Sequence, residues 1–329
     1  MTAGPVLEVR DASLVFTQDR NELRLIDHVS FEVAPGETLG LVGESGSGKS
    51  MTALSIMGFV GRKRSQRLEG SIRFRGQELV GLPESQYRKL RGNDIAMVFQ
   101  EPMTSLDPSF TIGFQIAEGI RLHQGLSRKD ALKRVVEVLD LVRIPQAHRR
   151  VNSYPHEFSG GMRQRVLIAM ALANDPELII ADEPTTALDV SIQAQILDLL
   201  GSLQRDLGLA MLFITHNMGV VADICDRVAV MYAGEVVEQG GVHEVFGSPR
   251  MPYTERLLAS MPRLDRRGEL EWIPGAPPAV DDRPVGCRFQ PRCAHAVQAC
   301  GEPQALRIVA PDRLARCWRS EELELGESA

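Results

Sequence analysis

The sequence predicts an α/β protein with an antiparallel β subdomain and a loop-built C-terminal appendage that contains cysteines. Three observations predict it: alternating apolar runs near the start, continuous apolar runs further along, and a segment rich in proline, glycine and charge after about Ser260. A chain of 329 residues is long enough for about two domains. We therefore predict a main domain over residues 1–259 and an extension over residues 260–329.

Alternating apolar and polar residues open the chain, in the runs VLEVR, ASLVF, VSFEV and SIRFR. This period of two is typical of antiparallel strands with one exposed face. The runs TLGLV, IAMVF, LIIAD and AMLFI are instead continuously apolar, as in parallel strands that are covered on both faces. The sequence therefore predicts both kinds of sheet.

Helical patterns lie between these strands. In SRKDALKRVVEVLDLV, Ser127 is placed to cap the helix and Asp130 lies in its first turn. Gly208 closes a second helical pattern, SIQAQILDLLGSLQRDLG. The apolar face predicted for the first helix consists of Leu132, Val135, Val136, Leu139 and Val142.

The composition is that of an ordinary globular protein and argues against an obligate nucleic-acid binder. Lys and Arg number 37 against 43 Asp and Glu, which gives a formal net charge of −6 and no basic footprint. The first residues lack the features of a signal peptide, and the most apolar stretches fall short of the ~20 residues that span a bilayer. We expect a cytoplasmic chain with no transmembrane segment, no nucleic-acid partner and reduced thiols.

The segment GESGSGKS, from Gly43 to Ser50, follows the run TLGLV and precedes the helix-like SMTALSIMGF. It fits the pattern G-x-x-x-x-G-K-[ST], in which backbone N–H groups and a helix N-terminus hold phosphate oxygens. Lys49 can reach the β- and γ-phosphates, and the Ser50 hydroxyl can ligate Mg²⁺. The alternative is a glycine-rich turn before an ordinary helix. The predicted nucleotide-binding residues are Gly43, Glu44, Ser45, Gly46, Ser47, Gly48, Lys49, Ser50 and Met51.

A pair of carboxylates ends the apolar run of LIIADEP, at Asp182 and Glu183. Successive residues at a strand end point in different directions, so one carboxylate can join the Mg²⁺ shell while the other faces an attacking water. Alone, such a pair is a weak signal, because solvated acidic pairs are common. Together with the phosphate loop it predicts a nucleoside triphosphate hydrolase.

The segment FSGGMRQR, from Phe158 to Arg165, lies between these two motifs, and with it the chain resembles the ATP-binding subunits of ABC transporters. The motifs follow the order of that family. The resemblance implies a P-loop NTPase cassette of the ABC type, with antiparallel β and helical subdomains, that binds ATP and Mg²⁺. The usual signature begins with Leu and ends with Gln, whereas this chain has Phe158 and Met162.

The resemblance also implies catalytic roles for three residues. Glu183 would polarise the attacking water and His216, in FITHN, would contact the γ-phosphate. Gln100, in VFQEP, would touch water and Mg²⁺, whose other protein ligands would be Ser50 and Asp182. A lone histidine after a strand is more often structural, and only the ordered set of motifs favours the catalytic role.

Further contacts to the nucleotide are implied outside the phosphate loop. Ser159, Gly160 and Gly161 of the signature would bind ATP held by a second cassette, and Asp189 belongs to the segment TALD, which resembles the D-loop. Phe16 ends an alternating strand and could stack on adenine, although an aromatic residue there is usually part of the core.

The partners also follow from the resemblance. It implies a head-to-tail pair with a homologous ATP-binding subunit, as a heterodimer or a homodimer, on two transmembrane permease subunits and indirectly a solute-binding protein. The chain would then lie peripherally on the cytoplasmic face of the inner membrane. Longer stretches resemble dipeptide and oligopeptide importers, a subfamily that includes nickel, glutathione and some sugar importers. The competing hypotheses are a soluble ABC-type ATPase of DNA repair or translation and a redox or iron-responsive protein that uses the cassette as a scaffold.

The extension holds four of the five cysteines, and Cys225 is expected to be a buried, inert thiol. Reducing conditions disfavour disulfides, and the spacing is not the paired C-x2-C of zinc fingers. Four thiolates suit a [4Fe–4S] cluster, while zinc and unligated thiols remain alternatives. Similar tails of dipeptide-importer ATPases imply a [4Fe–4S] site, and we expect its role to be structural because a tail with weak periodicity needs a covalent or metal link to fold. Its ligands would be Cys287, Cys293, Cys300 and Cys317, with Arg288, Arg292 and Arg316 offsetting the charge. His295 is an alternative ligand, although a solvated histidine is the more common case.

Overall fold

The structure is a computed structural model that describes residues 4–18, 21–99, 105–186, 188–261 and 272–326. Its contacts divide the chain into two compact units. The first unit consists mainly of Leu82–Phe213 with the short segment Ala34–Glu37, and the second consists of Leu7–Val33, Thr38–Gly81 and the chain from Ile214 onward.

Strands and helices alternate through most of the described chain. The strands are β1 (Leu7–Gln18), β2 (Asn21–Val33), β3 (Thr38–Val42), β4 (Gln66–Phe74), β5 (Gln77–Glu78), β6 (Ile95–Val98), β7 (Leu178–Asp182), β8 (Ala210–Thr215), β9 (Arg227–Tyr232), β10 (Glu235–Gly241), β11 (Arg307–Ala310) and β12 (Arg313–Ala315). The α-helices are Lys49–Ile56, Glu84–Leu90, Ile112–Gln124, Arg128–Leu141, Ala147–Arg150, Gly160–Leu172, Val190–Leu207, Met218–Ile224, Val242–Gly247 and Pro252–Ala259. Short 3₁₀ turns lie at Pro155–Glu157, Gln290–Arg292 and Gln298–Gly301.

The predicted antiparallel sheet lies in the second unit, in the order β2-β1-β4-β5. The runs VLEVR and ASLVF belong to one strand, β1, because a bulge at Arg10 and Asp11 carries its pairing with β2 onward. Asp11 has a φ of 49°, a left-handed conformation that β-bulges accommodate. The sequence prediction of antiparallel strands is therefore confirmed, but the division of the first strand into two is wrong.

The predicted buried strands are also present. Every residue of β3, β7 and β8 is buried, as continuous apolar runs require. In the first unit β6 pairs in parallel with β7. In the second unit β3 pairs in parallel with β9, and the order continues through β10 and β12 to β11.

The two predicted helices begin and end where the sequence indicates. The hydroxyl of Ser127 accepts a hydrogen bond from the Asp130 N–H at 3.2 Å, and Gly208 ends the helix Val190–Leu207 with a φ of 65°. On the first helix Val135 and Leu139 are buried, while two other predicted face residues are only half-buried. These two are Leu132 and Val136.

The extension is joined to the second unit by a sheet edge and an aromatic cluster. Its strand β12 pairs with β11 and with β10, so it continues the sheet that contains β9 and β3. Phe289 is 1% exposed and lies with its ring centroid 5.3 Å from Tyr232 and 5.4 Å from Tyr253. Such aromatic packing contributes beyond the apolar area that it buries. Within the described ranges, none of the helices is both long and apolar enough to cross a membrane.

Candidate functional site

The phosphate loop, Gly43–Ser50, lies between β3 and the helix Lys49–Ile56 in the second unit. Gly43 has a φ of +146°, and a Cβ placed there would meet the Met231 carbonyl oxygen at 2.1 Å. Only glycine fits where the backbone is this close to β9. The conformation of the loop is therefore fixed by packing within this unit.

Lys49 lies under the loop with 6% of its surface exposed. Its Nζ donates to the carbonyl oxygens of Gly43 at 2.8 Å and Glu44 at 3.0 Å, and to the Ser47 hydroxyl at 3.4 Å. In the described chain the helix that starts at Lys49 has no side-chain cap at Gly48 and no acid in its first turn. An ammonium and an uncapped helix N-terminus at one loop make an anion-binding site.

The remaining residues of the loop differ in exposure. Ser45, Gly46 and Ser50 are exposed, whereas Ser47 is buried and its carbonyl accepts the Gly234 N–H at 2.9 Å. Met51 is half-buried. Ser50 lies in the first turn of the helix, the position from which a hydroxyl could reach a metal ion bound to a nucleotide phosphate.

The acidic motif ends β7 in the first unit. Asp182 is 7% exposed, and Glu183 follows with a φ of 47°. A left-handed φ is uncommon for glutamate and is found at strained functional positions. The Thr186 hydroxyl donates to the Glu183 carboxylate at 2.7 Å, which fixes the direction of that side chain. Sequence reasoning missed this role of Thr186, although the threonine pair after ADEP was a visible signal.

The signature residues lie at the start of the helix Gly160–Leu172, also in the first unit. Ser159 caps this helix by accepting the Met162 N–H at 3.4 Å, and both Ser159 and Gly160 are exposed. Gly161 is buried, and a Cβ there would meet Ile192 at 2.5 Å. The structure therefore brings the signature against the helix that follows the TALD segment.

The unusual Phe158 is accommodated inside this unit. It is 2% exposed, and the Arg150 guanidinium lies 5.5 Å from the centroid of its ring. The aromatic side chain is thus part of the core, where a leucine would also be buried. The exposed part of the signature, Ser159–Gly160, keeps the usual residue types.

The remaining predicted residues that the structure describes lie on or next to other strands and helices, and one of them also caps a helix. Asp189 caps the helix Val190–Leu207, accepting the Ile192 N–H at 3.0 Å and the Ser191 hydroxyl at 2.8 Å. These bonds lower the pKa of the Asp189 carboxyl. His216 is exposed directly after β8, and Phe16 is half-buried in β1 opposite Leu23. Gln100 falls outside the described residues.

The four cysteines of the extension line one cavity in the second unit, together with Phe289, His295 and Trp318. Burial raises the pKa of the Cys287 thiol to about 11 and also raises the pKa values of Cys293 and Cys317. Backbone hydrogen bonds work in the opposite direction, from Phe289, His295 and Arg319 to these three sulfurs in turn. Each bond comes from the residue two positions further on and favours a thiolate.

Among the residues that the structure describes, no group of three or more His, Cys, Asp or Glu is placed to hold a metal ion. A single zinc ion needs four ligand atoms around one point. A [4Fe–4S] cube takes one thiolate at each of four irons, so its thiolates stand further apart. In the described part of the chain the four cysteines thus share one cavity without being arranged as a metal site.

The arginines expected to offset the cluster charge have other partners. Arg288 binds Asp27 and lies 3.3 Å from Glu235, and the Arg316 guanidinium lies 3.7 Å from Glu235. Arg292 binds Glu44 of the phosphate loop. The arginines whose charge lowers thiol pKa values are instead Arg319, towards Cys293, and Arg307, towards Cys317.

Family comparisons cover most of the chain in two parts. A family described as "ABC transporter" matches residues 26–186. A second, described as "Oligopeptide/dipeptide transporter, C-terminal region", matches residues 237–300.

Relatives of similar length also match. A protein of Brucella ovis named as a peptide import ATP-binding protein is 54% identical over 98% of this chain and 99% of its own. A protein of the same description from Brucella abortus is 50% identical over 96% of each chain.

Solved structures resemble the chain over about three quarters of its length. A dimeric ATP-binding cassette, solved in a post-hydrolysis state with ADP and phosphate, has a TM-score of 0.63 and 28% identity and covers 72% of this chain and 98% of its own. A protein of Clostridium perfringens, described as part of an ABC transporter complex, has a TM-score of 0.62 and 26% identity, with 74% and 90% covered.

Proposed function

Because the chain belongs to the family of ABC transporter ATP-binding subunits, we propose that it hydrolyses ATP to drive the import of di- or oligopeptides. The observation that carries this proposal is the phosphate loop with its buried Lys49, in a chain that is 54% identical to a peptide import ATP-binding protein over 98% of its length. Nickel, glutathione and sugars are competing cargoes, and selectivity among them resides in other subunits.

In the proposed mechanism the phosphate loop binds the nucleotide. Its N–H groups and Lys49 would hold the β- and γ-phosphates, and the resemblance assigns Ser50, Gln100 and Asp182 as the residues that would ligate Mg²⁺. When bound, Mg²⁺ neutralises charge on the phosphate oxygens. Phe16 is our candidate for the residue that stacks on adenine, and its half-buried place in β1 leaves part of the ring accessible.

Hydrolysis would use Glu183 as the base that orients water and takes its proton. Thr186 restricts the carboxylate to one direction through its 2.7 Å hydrogen bond, and a fixed direction suits a residue that aligns water. His216 would contact the γ-phosphate, and Gln100 would touch the water.

We propose that a second cassette completes the site. Ser159 and Gly160 are exposed at a helix N-terminus, and such a terminus binds phosphate. Together with Gly161 and Asp189 they would contact ATP on a homologous subunit in a head-to-tail dimer. A heterodimer is favoured over a homodimer by the resemblance to importers that carry two ATPase genes.

The chain would lie on the cytoplasmic face of the inner membrane, against two permease subunits that receive solute from a binding protein. Phe110 and Phe114 stack with ring centroids 4.8 Å apart, and both are nearly half exposed in the first unit. Gln115 fixes the preceding loop by bonds to Asp107 and Phe110. This aromatic pair, close in sequence to Gln100, is the surface that we assign to a permease.

For the extension, we propose a structural [4Fe–4S] cluster held by Cys287, Cys293, Cys300 and Cys317. The shared cavity and the backbone donors at three sulfurs support it, and zinc is the alternative metal. We also propose that the boundary between the main domain and the extension lies between residues 259 and 260. The second family match begins before it, at residue 237, and the boundary can be tested by limited proteolysis.

Uptake measurements test the proposed function. A strain lacking this gene should lose uptake of labelled di- or oligopeptides and regain it with the wild-type chain but not with Lys49→Ala. Nickel and glutathione uptake, measured in the same strains, should not change. Normal peptide uptake in the deletion strain, with loss of nickel or glutathione uptake, would show that the assigned cargo is wrong.

A further inference from the structure

One arginine of the extension reaches the phosphate loop. The guanidinium of Arg292 binds both carboxylate oxygens of Glu44, with Nη1–Oε2 at 2.7 Å and Nη2–Oε1 at 3.0 Å. Only 5% of the Arg292 side chain and 25% of the Glu44 side chain are exposed. A bidentate, largely buried pair of this kind is strong and directional.

Other groups hold the Arg292 guanidinium in place. It donates to the Tyr232 hydroxyl at 3.2 Å and, through Nε, to the Pro274 carbonyl at 2.8 Å. It lies 5.7 Å from the ring centroid of Tyr232 and 5.8 Å from that of Phe289. These contacts fix the plane of the Arg292 guanidinium without any contribution from Glu44. Arg292 can therefore set the position of the Glu44 carboxylate.

Glu44 is held at three points, and one of them is the lysine that binds phosphate. Its N–H donates to the Tyr253 hydroxyl at 2.9 Å, its carbonyl accepts the Lys49 ammonium at 3.0 Å, and its side chain binds Arg292. A shift of Glu44 would therefore move a contact of Lys49. An unneutralised Glu44 carboxylate would also repel phosphate.

We propose that Arg292 is a positioning residue of the nucleotide site. It neutralises Glu44 and fixes the start of the phosphate loop, so the extension is a working part of the ATP site. This inference rests on the proposed function, because it requires that the loop binds ATP.

The test is the affinity of the purified full chain for a fluorescent ATP analogue. Arg292→Ala should weaken binding at least about tenfold, which corresponds to ~1.4 kcal/mol. Arg292→Lys keeps the charge but cannot bind both oxygens and a carbonyl in one plane, so we expect an intermediate loss of about threefold. The double variant Arg292→Ala with Glu44→Gln should bind at least about threefold more tightly than Arg292→Ala, because the unpaired carboxylate is gone.

Arg313→Ala is the matched control. Arg313 is also a buried arginine of the extension that pairs with a glutamate, Glu238 at 2.8 Å, but it does so on β10 and not on the phosphate loop. It should lower thermal stability and leave nucleotide affinity within about twofold.

Three results would overturn the inference. They are wild-type affinity in Arg292→Ala, equal losses in Arg292→Ala and Arg313→Ala, or a double variant no better than Arg292→Ala. If Arg292→Ala does not fold, Arg292→Lys decides, and unchanged affinity there counts against the inference. A wild-type chain that does not bind the analogue would contradict the proposed function instead.

Discussion

The phosphate loop and the cysteine cavity are both candidate binding sites of the second unit, but they are held in different ways. The loop lies between a fully buried strand and a helix, and its key contacts are hydrogen bonds within the protein. The cavity lies among 3₁₀ turns and a short β-hairpin, and four thiols face it.

The two sites therefore depend on their ligands differently. The anion site is preorganised by secondary structure, so nucleotide adds to a fold that already exists. The cysteines lie in loops whose geometry a cluster would complete, so loss of metal should loosen the extension first. Arg292 connects the phosphate loop with the extension. Variants that damage only one of the two sites therefore test whether the sites are coupled.

The largest expected effect concerns the chemistry of hydrolysis. Glu183→Gln keeps the shape of the side chain but removes the base, so turnover of the assembled transporter should fall by about 10²–10⁴-fold. Phosphate release measures the loss, and affinity for nucleotide should stay nearly unchanged. A fall of less than about fivefold would remove Glu183 from the role of base.

A pair of glycine variants tests the preorganised loop. At Gly43 an added Cβ would meet the Met231 carbonyl at 2.1 Å, whereas at Gly46 it would meet nothing within 4 Å. Gly43→Ala should weaken nucleotide binding more than about 100-fold, and Gly46→Ala only about tenfold because of its left-handed φ. Equal losses in the two variants, measured with the fluorescent analogue, would mean that packing does not set the loop.

The cysteine cavity can be damaged without touching the loop. Anaerobically purified protein should carry about four irons per chain, and Cys317→Ser should reduce this below about one, with loss of the brown colour. Cys225→Ser is the control and should keep the iron. Nucleotide affinity of Cys317→Ser should stay within about threefold, since Tyr232 and Glu44, which lie outside the extension, still bind Arg292. A colourless wild-type protein with stoichiometric zinc would show that the cysteines bind zinc and not the cluster.

The smallest effect concerns the residue that orients the base. Thr186→Val removes the hydrogen bond to Glu183 and should lower turnover about fivefold, the value of roughly 1 kcal/mol. Thr186→Ser keeps a hydroxyl and serves as the control. If both variants hydrolyse ATP at the wild-type rate, the bond seen at 2.7 Å does not matter for catalysis.

Much of the fold could be predicted because its signals are local. Buried strands such as β3 and β7 are continuous apolar runs, and helix ends such as Ser127 and Gly208 are set by cap residues. The phosphate loop could be located for the same reason, since its conformation follows from a few glycines between a strand and a helix.

What could not be predicted depends on distant parts of the chain. The pairing of β12 with β10 joins short strands without a strong period, and the pair Arg292–Glu44 spans 248 residues. The sequence predicts that Arg292 faces the thiolates, because Cys293 is its neighbour in the chain. The actual partner, Glu44, is distant in sequence, and no local pattern links the two residues. A buried charged side chain needs a partner of opposite charge, and the tertiary structure decides which residue that is. The local sequence pattern does not reveal it.

Peptide-stimulated ATP hydrolysis is the decisive measurement of whether this chain drives peptide import. The chain is reconstituted in vesicles with its partner ATPase and both permeases, and phosphate release is followed as binding protein is added. Hydrolysis should rise with peptide-loaded binding protein and not with nickel, and the chain alone should be a poor ATPase, because the proposed site needs the signature of a second cassette. Full turnover by the isolated chain, independent of its concentration and of peptide, would contradict both the shared ATP site and the coupling of hydrolysis to peptide import.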